Sequence, residues 1–235
     1  MEINKDLKLK WLNYQNKNSK KIIKNDCINL NNIKYIGGFD ISFSKINNQK
    51  ACVYLTIIDF KTNEIVYEDY LLCEMDIEYI SGFLGFREIP HYSKLFKKLI
   101  DNNIKYYPDI ILFDGYGILH QRNFGLASHF GYEFNIPTIG VAKSLLFIDG
   151  LDNSIIDDFL IKCKNKGDYI ELIGKTTNNI YGVAVKSSNN SKNPIYISIG
   201  HKISLKTAIE IILKTCKYKI PEPIRNSDIK SKNFL

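Results

Sequence analysis

Dense apolar runs, each only a few residues long, alternate along this chain with polar connections, and one stretch switches to a helical period. IKYIGGFDISFS (33–44), ACVYLTIIDF (51–60) and EIVYEDYLL (64–72) read as strands, since each is rich in β-branched and aromatic residues. KINNQK and KTNE between them are short and polar, as antiparallel hairpin connections are. MDIEYISGFLG (75–85) reads as a loop with two glycines. From Phe86 the period lengthens: Ile89, Tyr92, Leu95, Phe96, Leu99 and Ile100 recur at three and four, a helical face. Pro90 suits only a first helical turn, so the spacing predicts a helix starting within a residue or two of Glu88.

PDIILFDG (108–115) and PTIGVAKS (137–144) are short buried strands by length and flanks, with a helix predicted between them over Arg122 to Phe134. DYIELIG, NIYGVAVK and PIYISIG suggest further strands, KSSNNSKN (186–193) a turn, and SLKTAIEIILKTCK (204–217) a helix capped by Ser204. Residues 1–30 read as a polar, basic N-terminal arm or helix anchored by Trp11, Leu12 and Tyr14, and residues 31–235 as a single domain. The order βββαβαβ leaves the first strand free to pair in parallel with the fourth. It predicts an α/β fold, a mixed sheet flanked by helices, and is the order of a ribonuclease-H-like core.

Composition narrows the class. At 235 residues, 45% hydrophobic and 24% charged, this is an ordinary globular chain able to bury a core without disulfides. The five cysteines are scattered with no CxxC, which argues against structural zinc. No apolar run approaches the roughly 18 residues of a membrane span, and the N-terminus is too polar for a secretory signal. No membrane association is expected; the expected setting is the cytoplasm, with the nucleus as a second location. The net charge of +7, almost all from lysine, leans toward a polyanionic partner.

Three acids stand where acids are costly or exposed to a shared rim. Asp40 interrupts an apolar strand, Glu88 opens a helix, and Asp114 ends a buried strand. Glu in a first helical turn and Asp before Gly both have ordinary structural explanations. Asp40 is harder to explain, since a lone carboxylate within a strand costs several kcal/mol unless paired or metal-bound. With the first and fourth strands parallel, Asp40 and Asp114 lie side by side and Glu88 is carried over them. A hard divalent cation, Mg²⁺ with Mn²⁺ as a substitute, would relieve their mutual repulsion. His120 and Lys143 follow the two buried strands and fall on the same rim; His91 and His129 read as structural.

These residues lie in blocks that resemble the endonuclease V family: GGFDIS (37–42), YISGFLGFRE (79–88), PDIILFDGYGILHQRNFGLASHFG (108–131), PTIGVAKSLL (137–146), GHKISLKTA (200–208) and IPEPIRNSDIKS (220–231). The resemblance covers most of the chain from about residue 35 to 231. It implies a ribonuclease-H-like fold and a Mg²⁺-dependent hydrolase, an endonuclease cutting the second phosphodiester 3′ to inosine and leaving 3′-hydroxyl and 5′-phosphate ends. By that match Asp40, Glu88 and Asp114 are metal ligands, and His120, Lys143 and His201 join them as catalytic residues. Tyr79, Ile80 and Ser81 form a wedge, while Gly82, Leu84, Gly115 and Gly117 line a pocket for the flipped base. The wedge lacks the prolines of many relatives, Tyr116 replaces a common His, and PEPIR looks eukaryotic-like. Inosine-containing RNA, single-stranded by preference, and DNA are the expected partners of a monomeric enzyme. The alternative is a non-catalytic inosine- or RNA-binding module on the same fold.

Overall fold

The computed structural model describes residues 5–47 and 49–235. Its first three strands, β1 (Tyr35–Phe43), β2 (Lys50–Asp59) and β3 (Ile65–Glu74), pair as consecutive antiparallel neighbours, as their short connections predict. β4 (Ile110–Asp114) then pairs parallel to β1, with Phe39 opposite Phe113, so Asp40 and Asp114 occupy the next step of two adjacent strands. β5 (Thr138–Ala142) lies parallel to β4. The later strands β6 (Tyr169–Ile173), β7 (Ile180–Val185) and β8 (Ile195–His201) extend the same sheet through an antiparallel β5–β8 pairing. The order β3-β2-β1-β4-β5-β8-β7-β6 is the expected mixed sheet.

Helices cover both faces. Period-two alternation on β1 sends Phe39 and Ile41 toward α2 (Leu84–Asn103) and α3 (Leu126–Phe134), where they join Tyr92, Phe96, Phe113 and Phe130. Ile36 points to the opposite layer, which holds α5 (Leu205–Thr215) and Ile224 of α6 (Glu222–Ser231). Gly38, Asp40 and Ser42 share that second face. α6 lies directly on it: Ser227 Oγ donates to the Gly38 carbonyl at 2.9 Å, and the Ser42 and Ser231 hydroxyls meet at 2.7 Å. α4 (Ser154–Lys162), a helix the apolar pattern does not single out, packs Phe159 into a smaller cluster with Tyr181 and Tyr196. Among the described residues no helix is long and apolar enough to cross a membrane.

Two helix boundaries depart from the sequence reading. α2 begins at Leu84, which leaves Pro90 inside it and Glu88 in its second turn. The missing hydrogen bond and the ring clash cost about 3 kcal/mol. Burying Ile89, Tyr92, Leu95, Phe96 and Leu99, at about 1.5–3 kcal/mol each, outweighs that cost. α3 begins at Leu126 instead of Arg122, because Gly125 is held in a tight loop by a bond from its N–H to the Gly117 carbonyl. A Cβ on Gly125 would lie 2.4 Å from the Tyr116 carbonyl oxygen.

The N-terminal segment forms α1 (Lys5–Ser19). Its buried residues are Trp11, Gln15 and Asn18, and Trp11 stacks on Phe86 with ring centroids 4.8 Å apart.

Candidate active site

The carboxylates converge at the C-terminal ends of β1 and β4, as their parallel pairing requires. Asp40 is buried, facing α6, and its Oδ2 has no hydrogen-bond partner among the described residues. Burial pushes its carboxyl up to about 8, reinforced by the charges of Asp114 and Asp228. Glu88 is also buried and reaches over the sheet end from α2; burial pushes it up to about 7. The Tyr92 hydroxyl, itself fully buried, donates to Glu88 Oε2 at 3.2 Å. Asp114 is half-buried and accepts from Lys143 Nζ at 2.5 Å. Burial disfavours the Lys143 charge, but Asp114, Asp228 and Asp40 outweigh it and hold the ammonium above its usual range.

Asp228 is the residue the sequence reading missed. It follows Ser227 on α6, and its charge is felt at both Asp40 and Lys143. Its only sequence signal is its place in the IPEPIRNSDIKS block; the packing of α6 on Gly38 brings it to the rim.

Among the described residues no three acidic, His or Cys side chains form a coordination-ready cluster. The donor chemistry nevertheless fits a hard cation. All three predicted ligands offer oxygens, one buried oxygen lacks any donor, and two carboxyls resist ionisation without compensating charge.

Beside this rim, Gln15, Tyr79, Ser81, Gly82, Leu84, Tyr116 and His120 contribute to a small pocket. It encloses about 70 Å³, well below the roughly 300 Å³ at the lower end of ligand-binding cavities. One carbonyl organises it. Gly82, with a positive φ of +80°, turns its oxygen inward, where it accepts from Gln15 Nε2, His120 Nε2 and Arg122 NH2 at 3.0, 3.1 and 2.6 Å. Tyr79 stands out from the same loop, 62% exposed, while Ile80 is half-buried and uses its carbonyl to hold Phe83. Tyr116 donates its hydroxyl to the Ser144 carbonyl at 3.0 Å, bracing the pocket against the segment that follows β5.

Several predicted residues make contacts within the protein. Both ring nitrogens of His120 are engaged there, since Nδ1 accepts from the Arg122 N–H and Nε2 therefore donates to Gly82. Burial, helped by Arg122, pushes it down to about 4. His120 is expected to stay neutral with its proton on Nε2 between about pH 5.5 and 8. Nitrogen-15 spectra of its ring across that range check this; a titration midpoint near 6.5 would refute it.

His201 lies opposite Thr138, at the start of β5, whereas Lys143 follows that strand's far end. At about 3.3 Å per residue the two ends are well separated. His201 Nδ1 accepts from the Ile23 N–H and ties down the segment after α1, so it does not belong with the carboxylates. Gly117 also leaves the pocket set. A Cβ there would lie 2.0 Å from the Ile199 oxygen, so the glycine serves close passage beside β8. Gly115 packs toward Leu126, and the pocket wall between these glycines is Tyr116 itself. His129 is buried among Tyr14, Phe86 and Phe124 and pairs with Glu133, a structural role.

Comparison with known proteins bears on this geometry. A family model described as Endonuclease V matches residues 16–229. Endonuclease V from Mus musculus is 38% identical over 204 residues, 86% of this chain, and the match spans 60% of the mouse protein's length. The crystal structure of the catalytic domain of human Endonuclease V superposes with a TM-score of 0.95 at 32% identity, covering 99% of this chain and 97% of that one. The Ciona intestinalis Endonuclease V structure, in complex with a 23mer DNA containing an inosine followed by a ribo-adenosine, gives a TM-score of 0.94 at 34% identity, with 99% and 98% of the two chains covered.

Proposed function

This chain belongs to the endonuclease V family, and from that premise we propose that it is a metal-dependent endonuclease that hydrolyses the second phosphodiester 3′ to inosine in RNA, single-stranded by preference, and in DNA. The observation that carries the reading is the buried Asp40 carboxylate, whose Oδ2 has no partner among the described residues, set beside Asp114 and Glu88. Asp40, Glu88 and Asp114 would hold Mg²⁺ or Mn²⁺. The bound cation supplies a water activated for attack and charge to stabilise the leaving oxygen.

The chain's own residues do the rest. Lys143, kept protonated by the acids around it, offers positive charge to a phosphate at the rim. Tyr92 fixes Glu88, and its buried ring helps exclude water from one side of the site. The pocket behind Tyr116 receives the base, and its size requires the loop from Tyr79 to Phe83 to open for entry. A wedge without proline is less stiff, which favours unpaired strands over prying open a duplex.

A gel assay tests the reading. Single-stranded RNAs differing only in one inosine or adenosine are incubated with Mg²⁺. Cleavage confined to the inosine strand is expected, at a rate at least about a hundredfold above the adenosine strand, since a site that reads a base edge by hydrogen bonds discriminates strongly. Equal cutting of both strands would refute inosine specificity; binding without cutting would favour a non-catalytic module.

A further inference from the structure

A second cavity opens on the other side of the wedge loop. Lys5, Lys8, Leu9 and Leu12 of α1 form one wall, at the i, i+3, i+4, i+7 spacing of a single helical face. Ser81, Phe83, Gln121 and Arg122 form the other. It encloses about 410 Å³, inside the range of about 300–1,000 Å³ for small-ligand sites and room for one nucleotide. Ser81 and Gln121 also line the base pocket, so the two cavities share a wall.

The groove's charge points to its occupant. Arg122 lies over the Phe83 ring, 4.4 Å from its centroid, and among the described residues bonds neutral acceptors: Gln15, Gln121 and the Gly82 carbonyl. Burial lowers its pKa. Lys5 and Lys8 add two ammonium groups on the exposed face of a helix whose one acid is Asp6. Leu9, 55% exposed, offers apolar surface between the lysines. Cations around an apolar strip suit a nucleotide, with phosphate on the lysines and the sugar or base on leucine.

We propose that this groove is a nucleotide subsite for the residue on the 5′ side of the inosine. The assignment of side rests on the function proposed above. The carboxylates adjoin the pocket through Tyr116, next to Asp114, whereas the groove leaves it through Ser81 and Gln121. A strand cut 3′ to the held base runs past Tyr116, so its 5′ neighbour meets α1. The N-terminal helix thereby contributes to affinity while standing apart from the chemistry.

The test compares two single-stranded RNAs with the same 3′ sequence, one with a central inosine and one with inosine as its 5′-terminal nucleotide. Equilibrium binding is measured without divalent cations over a range of salt. For the Lys5→Gln/Lys8→Gln protein, Kd for the central-inosine RNA should rise on the order of tenfold, and the log–log salt slope should fall by about 1.4, roughly 0.7 for each phosphate no longer neutralised. Kd for the 5′-terminal RNA should stay at the unaltered protein's value. Lys8→Gln alone should show about half the change in slope. Equal weakening on both RNAs, or none on the first, overturns the subsite. The unaltered protein's preference for inosine over adenosine is read from a separate oligonucleotide pair, so failure of the functional reading is distinguishable from failure of the subsite.

Discussion

Asp40→Asn should abolish cleavage, by about a thousandfold or more, and yet give a protein that melts higher than its parent at pH 8 in the absence of divalent metal. The first half follows from losing a charged oxygen at the site proposed to hold the cation. The second follows from linkage. The Asp40 carboxyl ionises at about 3.8 in the ordinary case and at about 8 in the folded protein. As pH rises above 4 the unfolded chain releases this proton while the folded one keeps it, so the native state is penalised increasingly until pH 8. Below pH 4 both states are protonated and the penalty vanishes. The full slope is about 1.4 kcal/mol per pH unit. Even a third of it amounts to about 2 kcal/mol across the window, or roughly 5 °C in melting temperature. Asparagine carries no such proton. Thermal melts at pH 4 and pH 8 with chelator, alongside single-turnover cleavage, check both halves. A variant that cuts normally, or that melts lower than its parent at pH 8, contradicts the role given to Asp40.

Gly38→Ala should be the most damaging small substitution in the sheet. A Cβ on Gly38 would fall 2.5 Å from the Pro223 carbonyl carbon and 2.6 Å from the Ile224 nitrogen. These are backbone atoms at the start of α6, so the helix must shift bodily. Overpacking of this kind costs about 3 kcal/mol. The same shift moves Asp228 away from Asp40 and Lys143, and a displacement of about 1 Å at reacting groups can cost a hundredfold in rate. Gly37→Ala is the control: its Cβ would meet the Pro108 side chain at 3.3 Å, a contact that yields by a few tenths of an ångström. Denaturant melts and cleavage rates of the two variants should therefore diverge sharply. Similar losses for both would mean that α6 does not depend on a bare strand.

How much of this is legible in sequence varies with the range of the interaction that sets it. The strands, the parallel β1–β4 pairing and the meeting of Asp40 with Asp114 follow from local apolar runs and short connections. Glu88 stands out in sequence, although its helix begins a turn earlier than the proline suggests, because aromatic burial outweighs a proline inside the helix. Asp228 does not stand out, since only the packing of α6 on Gly38 brings it near. His201 misleads for the converse reason: its block matches, but antiparallel pairing of β8 sends the histidine to the wrong end of β5. His120 reads as a rim histidine until its two ring nitrogens are seen bonded to backbone.

The triple acceptance at the Gly82 carbonyl also bears on where this chain can be trimmed. The family match begins at residue 16, one position after Gln15. A protein shortened to that boundary would keep Asp40, Glu88, Asp114 and Asp228 and all eight strands. It would lose the amide that joins Gly82 to Phe124 and the indole that covers Phe86. The family model alone would mark that boundary as safe for truncation or for attaching a fusion partner, yet it cuts through the scaffold of the Tyr79–Phe83 loop.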